Sequence, residues 1–149
     1  MTAPTDKELA LLTYDAYTSP PANSVPLDVL LWTRDEILSA DDDPKTGYGA
    51  SVYRRGSEVV IAFRGTDEFF SSDTWSGNLP AFTGWRSAQI ELAIKTVANV
   101  LHAMAPGDHL TFTGHSLGGG LASVMAVFFD RPAKVFAWAP FKRSVIHAR

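Results

Sequence analysis

Glu58-Val59-Val60-Ile61-Ala62-Phe63 is a nearly continuous apolar run, the pattern of a strand covered on both faces rather than one with a wet side. Ser51-Val52-Tyr53 precedes it across Arg54-Arg55-Gly56-Ser57, and the pair reads as a β-hairpin. Downstream, Trp85, Ala88, Leu92, Val97, Val100, Leu101 and Met104 recur at helical spacing before Pro106-Gly107, which predicts a helix of about five turns. A short strand over 109–113, a helix from about 116 to 128 and a third buried strand over 134–138 follow. Strand, helix, strand, helix, strand implies an α/β sheet with right-handed crossovers. Near the N-terminus, Leu9, Leu12, Ala16 and Tyr17 fit a helix over 5–17 that Asp6 can cap and Pro20-Pro21 can stop. The acidic Asp41-Asp42-Asp43-Pro44 reads as a solvated turn, because a calcium loop needs further oxygen ligands at regular spacing.

A chain of 149 residues is the size of one domain, here 1–149. Its 46% hydrophobic and 19% charged residues exclude a disordered or collagen-like chain. A net charge of −3 provides no field for phosphate backbones, so nucleic acid is not an expected partner. The absence of cysteine removes disulfides and thiolate chemistry. No basic segment precedes an apolar stretch at the N-terminus, and no apolar run is long enough to span a bilayer. The expectation is a soluble protein without a Sec-type signal, cytoplasmic or exported by a route independent of a signal peptide. Transient contact with a membrane surface is compatible with this.

Between the strand at 109–113 and the next helix stands Gly114-His115-Ser116-Leu117-Gly118-Gly119-Gly120, a G-x-S-x-G match. By composition alone such a match arises in about one chain of this length in twenty. Its setting is more informative. A strand feeds the turn and a helix leaves it, and only in that setting is the serine strained and exposed at the sheet edge. Small residues two before and two after Ser116 let strand and helix approach, and the helix N-terminus aims N–H groups at charge developing beside the serine oxygen. An acyl-transfer site also needs oxyanion donors. Leu117 supplies one backbone N–H by position, and Thr66, in Arg64-Gly65-Thr66-Asp67 after the 58–63 strand, can supply an N–H and a hydroxyl. The bland readings are a glycine-rich connection with a serine cap and a threonine satisfying a turn.

At these residues the sequence resembles the class 3 lipase family of α/β-hydrolase-fold lipases, feruloyl esterases and phospholipases. Ile61-Ala62-Phe63-Arg64-Gly65-Thr66 is similar to that family's oxyanion strand, and Phe112-Thr113-Gly114-His115-Ser116-Leu117-Gly118-Gly119 to its nucleophile elbow. The resemblance covers about 8–140, and Ala139-Pro140-Phe141 is similar to bacterial members found in large secreted or contact-delivered lipolytic toxins. It implies an α/β-hydrolase-type sheet with flanking helices, Ser116 as nucleophile, Thr66 and Leu117 at the oxyanion, and a lipid or other carboxylic ester as substrate. It also implies a lid in the segment after the oxyanion strand. Residues 67–84, with Phe69, Phe70, Trp75, Leu79 and Phe82, fit a lid or ordinary packing. No metal-ligand cluster, phosphate loop or dinucleotide fingerprint appears, and serine-based hydrolysis requires no cofactor.

The family's order is Ser, then Asp, then His, after later strands. Here Asp130 follows Ser116 by fourteen residues, mostly helix, which carries it roughly 20 Å to the opposite edge of the sheet. His147 lies in a charged terminal segment with no aspartate after it. His115 is adjacent to the serine and is expected to point away from its oxygen, while His102 and His109 flank a loop at the far edge. None is a good base. The expectation is therefore the N-terminal part of a larger hydrolase, incomplete in its sheet, with the triad acid and base outside this chain. The alternative is a catalytically incomplete lipase-like module that binds lipid or a partner protein. An aspartate and a histidine downstream of Arg149 or on a second chain favour the first; a natural gene ending at Arg149 favours the second.

Overall fold

The computed structural model describes residues 2–17, 25–40, 43–64 and 79–136, the side chains of 79–86 excepted. Thr66, most of the 67–84 segment, His147 and the 139–141 motif lie outside the described residues.

Helix α1 (Asp6–Tyr17) is capped by Thr5 rather than by Asp6. Thr5 Oγ1 accepts the Glu8 N–H at 3.2 Å, and the Glu8 carboxylate accepts the Thr5 N–H at 2.8 Å, the reciprocal box that Thr-x-x-Glu forms. Asp6 falls one position inside the helix, where it pairs with Lys134 at 3.1 Å.

Five strands follow: β1 (Thr33–Arg34), β2 (Gly49–Arg55), β3 (Glu58–Arg64), β4 (His109–His115) and β5 (Ala133–Phe136). They lie side by side in that order. The first three are antiparallel, and the β2–β3 hairpin turns at Gly56, whose φ of 59° suits glycine. From β3 to β5 the sheet is parallel, which requires the crossover helices α2 (Leu79–Ala103) and α3 (Leu117–Phe129). The α2 helix starts earlier than its apolar spacing suggests, because Pro80, Thr83 and Gly84 are weak helix formers that dilute the pattern.

The apolar run in β3 is explained by its two covered faces. Val59, Ile61 and Phe63 point to α2 and α3, meeting Val97, Leu121 and Met125. Val60 and Ala62 point the other way, to Leu9, Leu12 and Ala16 of α1 and to Trp32 and Tyr53. Each large side chain fully buried this way stabilises the fold by about 1.5–3 kcal/mol.

Of the third buried strand expected over 134–138, the described part, 134–136, is not buried, and 137–138 lie outside the described residues. Residues Ala133–Val135 of β5 are exposed and Phe136 is half-buried. This strand is the sheet's last among the described residues, with no described strand beyond it. Its apolar composition is that of an interior strand.

On the α1 side, Arg55 pairs with Glu8 and lies over the Trp32 ring, 4.4 Å from its centroid. The hydrogen bond from Arg55 lowers the Glu8 carboxyl to about 2, aided by the Thr5 N–H and opposed by burial. A carboxyl depressed on folding stabilises the native state above its ordinary value near 4.5, and that contribution is lost as pH falls toward about 2. Glu8→Gln is therefore expected to cost about 2 kcal/mol at neutral pH. It should also flatten the loss of stability on acidification through that window. Urea unfolding at pH 7 and pH 3 checks this; an unchanged pH dependence would contradict it.

Candidate active site

Strand β4 delivers Thr113, Gly114 and His115 to the carboxyl edge of the sheet, and Ser116 then breaks the strand with φ 57° and ψ −117°. A non-glycine residue held there costs about 1–3 kcal/mol and persists only when its surroundings over-determine it. Two bonds do so. The Ser116 N–H donates to the Phe136 carbonyl of β5 at 2.9 Å, and the Gly120 N–H donates to the Ser116 carbonyl at 3.2 Å. The Ser116 side chain makes no capping bond to α3. Leu117 opens that helix, where the first N–H groups have no carbonyl partner within the helix.

The glycines around Ser116 have different jobs. A Cβ on Gly114 would lie 2.3 Å from the Gly118 carbonyl oxygen, so β4 and α3 touch backbone to backbone. A Cβ on Gly118 would lie 2.1 Å from the Phe63 carbonyl oxygen and 3.2 Å from Arg64 Cα. The start of α3 therefore sits on the end of β3, two residues before Thr66. A Cβ on Gly119 would strike the Val135 side chain at 2.5 Å, whereas one on Gly120 would meet nothing within 4 Å.

The end of α1 reaches the same edge. The Tyr17 hydroxyl donates to the His115 carbonyl at 2.7 Å, and its ring meets the His115 ring edge-on at 5.8 Å. Arg64 Nη1 donates to the Ala16 carbonyl at 3.0 Å. One turn earlier the buried hydroxyls of Thr13 and Thr113 lie 2.9 Å apart. Nothing in the sequence marks Tyr17 or Arg64 as a site residue. These two hydrogen bonds end on backbone carbonyls, which leave no trace in a sequence pattern.

Ser116 and Leu117 thus stand together at the elbow. The ring of His115 turns to Tyr17 of α1, and its buried Nε2 has no hydrogen-bond partner among the described residues. Asp130 is the exposed left-handed residue at the far end of α3, and His109 begins β4 beside Glu58 at the opposite edge of the sheet. His102 lies in the last turn of α2. Among the described residues no imidazole or carboxylate bonds to Ser116 Oγ, and no group of three or more His, Cys, Asp or Glu could hold a metal ion. A narrow, mainly apolar crevice beside the elbow is lined by Leu117, Gly120, Leu121 and Val124 of α3 and by Gln89 and Ile90 of α2.

A strained serine between a parallel strand and a helix seated on the neighbouring strand belongs to α/β-hydrolase-type sheets, and this chain carries part of one. The chain belongs to the phospholipase-like family of Tle-like phospholipase domains, matched over residues 8–149. It is 30% identical to the extracellular phospholipase A1 of Serratia liquefaciens in an alignment 137 residues long that covers 88% of this chain and 41% of that protein. Its fold is similar to that of the Rhizomucor miehei lipase in its propeptide complex. That match has a TM-score of 0.57 and 20% identity, covering 89% of this chain and 53% of the lipase. It is also similar to a mutant form of MDLA from Penicillium cyclopium, at TM-score 0.53 and 21% identity, over 85% of this chain and 57% of that one. The chain spans less than half of the phospholipase it matches and just over half of each fungal protein. The class 3 lipase resemblance read from the two motifs agrees with these relationships, and no helix among the described residues is long and apolar enough to cross a membrane.

Proposed function

We propose that this chain supplies the nucleophile and oxyanion half of a serine hydrolase acting on the carboxylic esters of lipids, phospholipids foremost. The observation that carries the reading is the backbone of Ser116, a non-glycine residue at positive φ between a strand and a helix with its hydroxyl left out of the helix cap. Such strain is stable only where surrounding bonds hold it, and it presents Oγ at the sheet edge. Ser116 Oγ attacks the ester carbonyl while its proton passes to an imidazole base. The tetrahedral oxyanion takes hydrogen bonds from the Leu117 N–H and from Thr66. Collapse expels the alcohol, here a lysophospholipid, and water releases the fatty acid from the acyl-enzyme in a second round. On this reading the base and its orienting carboxylate come from sequence outside this chain, and β5, the last strand of the sheet among the described residues, is where further strands would add. Contact of Gly118 with the end of β3 supports Thr66 as the second donor, because it brings the start of α3 against the strand that leads into Thr66. The phospholipid preference draws support from the family match and from the Serratia relative.

The test is release of fatty acid from phosphatidylcholine vesicles by the full-length protein that contains this chain. The wild type is expected to release it and Ser116→Ala is not. Thr66→Ala is expected to lower turnover by about two to three orders of magnitude with little change in KM, the usual effect of removing one oxyanion donor. An unchanged turnover would restrict Thr66 to its backbone N–H or remove it from the site.

A further inference from the structure

We propose that the last turn of α1 is a positioning clamp for the candidate acyl-transfer site, holding the strand end that carries Ser116 in register with the strand end that leads into Thr66. The inference rests on Ser116 being the nucleophile. Two consecutive residues of α1 make the two contacts. The Tyr17 hydroxyl donates to the His115 carbonyl at 2.7 Å, and the Ala16 carbonyl accepts Arg64 Nη1 at 3.0 Å.

The first contact acts directly on the strained residue. The peptide between His115 and Ser116 is a rigid plane whose carbonyl and N–H point in opposite directions. Its carbonyl is held by Tyr17 from α1 and its N–H by the Phe136 carbonyl of β5. With both ends fixed, that plane cannot rotate, and rotation of it is what would let the φ of Ser116 leave 57°. The second contact uses a carbonyl in the last turn of a helix, which lacks an intrahelical donor and carries the negative end of the helix dipole, a natural acceptor for a guanidinium. Arg64 precedes Thr66 by two residues. The turn that makes these contacts is itself immobilised: Leu12 and Ala16 are buried, and the hydroxyl of Thr13 meets that of Thr113 on β4. Tyr17 and Arg64 touch neither substrate nor reacting atoms on this reading. They act through the backbone of His115 and of the β3 end.

The experiment follows the rate at which a fluorophosphonate labels Ser116 in the full-length protein, together with kcat and KM for a short soluble ester and the thermal midpoint. Tyr17→Phe keeps the ring contact with His115 and removes only the hydroxyl. It is expected to lower the labelling rate and kcat together by about tenfold, since small displacements of reacting groups are costly. KM, the final extent of labelling and the folded fraction should stay unchanged. Arg64→Lys is expected to lower the same two rates, and the double variant to fall short of the product of the single effects, because each opens the same brace. Tyr14→Phe, on the exposed side of the same helix, serves as the control with wild-type rates. Wild-type labelling rate and kcat in Tyr17→Phe would overturn the clamp, as would a loss of kcat matched by a loss of labelled sites, which is the mark of a merely structural role. Should Tyr17→Phe not fold, Arg64→Lys decides by the same criteria. A wild-type protein that is never labelled at Ser116 overturns the nucleophile reading itself, and the clamp with it.

Discussion

Gly118→Ala is expected to disrupt the elbow, whereas Gly120→Ala, two residues further along the same helix, leaves fold and activity intact. The added carbon at Gly118 would lie 2.1 Å from a backbone carbonyl oxygen of β3, and neither partner is the end of a flexible side chain. Helix and strand must move apart, which separates Leu117 from the segment leading into Thr66. The expected cost is about 3–5 kcal/mol of stability, the range of severe overpacking against backbone. Whatever remains folded should lose about a hundredfold or more in turnover through misplacement of reacting groups. At Gly120 nothing lies within 4 Å of the new carbon, and alanine in place of glycine inside a helix is worth up to about 1 kcal/mol in favour of the variant. Denaturant unfolding of the two variants side by side reads the difference. Equal stabilities would show that the close approach of α3 to β3 is not a feature of the folded protein.

Ser116→Ala is expected to lower turnover by about 10⁴ to 10⁶, the usual result of deleting a member of a catalytic serine triad, with substrate binding retained. A companion variant separates chemistry from strain. Ser116→Gly also removes the hydroxyl, yet glycine tolerates φ 57° without the steric cost that serine bears there. It should be as inactive as the alanine variant and more stable than wild type by about 1 kcal/mol. A serine that serves only as a turn residue gives the opposite activity pattern, with neither substitution affecting hydrolysis. Comparing unfolding and ester hydrolysis of the two variants distinguishes the cases.

What the sequence made legible follows from how local each cause is. The elbow could be read because its mechanics demand small residues at fixed offsets from Ser116, and Gly114 and Gly118 stand there. The partner of Gly118 could not be read. Sequence reasoning assigns it to the approach of β4 and α3, while the structure sets it against Phe63 of the neighbouring strand, a relation created only when the sheet forms. The same limit applies to β5. An apolar run says that a strand is suited to burial, and whether anything covers it depends on elements elsewhere. At the start of α1, Thr5 and Asp6 are both good caps, and the deciding signal was a glutamate three residues after the threonine. The bracing by Tyr17 and Arg64 was invisible because it ends on main-chain oxygens. Element lengths alone put Asp130 and His109 at the far edge, and the structure has them there.

Covalent trapping identifies the nucleophile, which is expected to be Ser116. The full-length protein is treated with a fluorophosphonate and digested with trypsin, and the peptide spanning 96–134 is sequenced by mass spectrometry. This peptide also contains Ser123, whose hydroxyl donates to the Gly119 carbonyl at 2.9 Å and serves as an internal reference. One adduct is expected, on Ser116, absent from Ser116→Ala. An adduct on Ser123 or elsewhere, labelling that survives Ser116→Ala, or loss of ester hydrolysis on treatment with the probe while Ser116 stays unmodified would contradict that assignment.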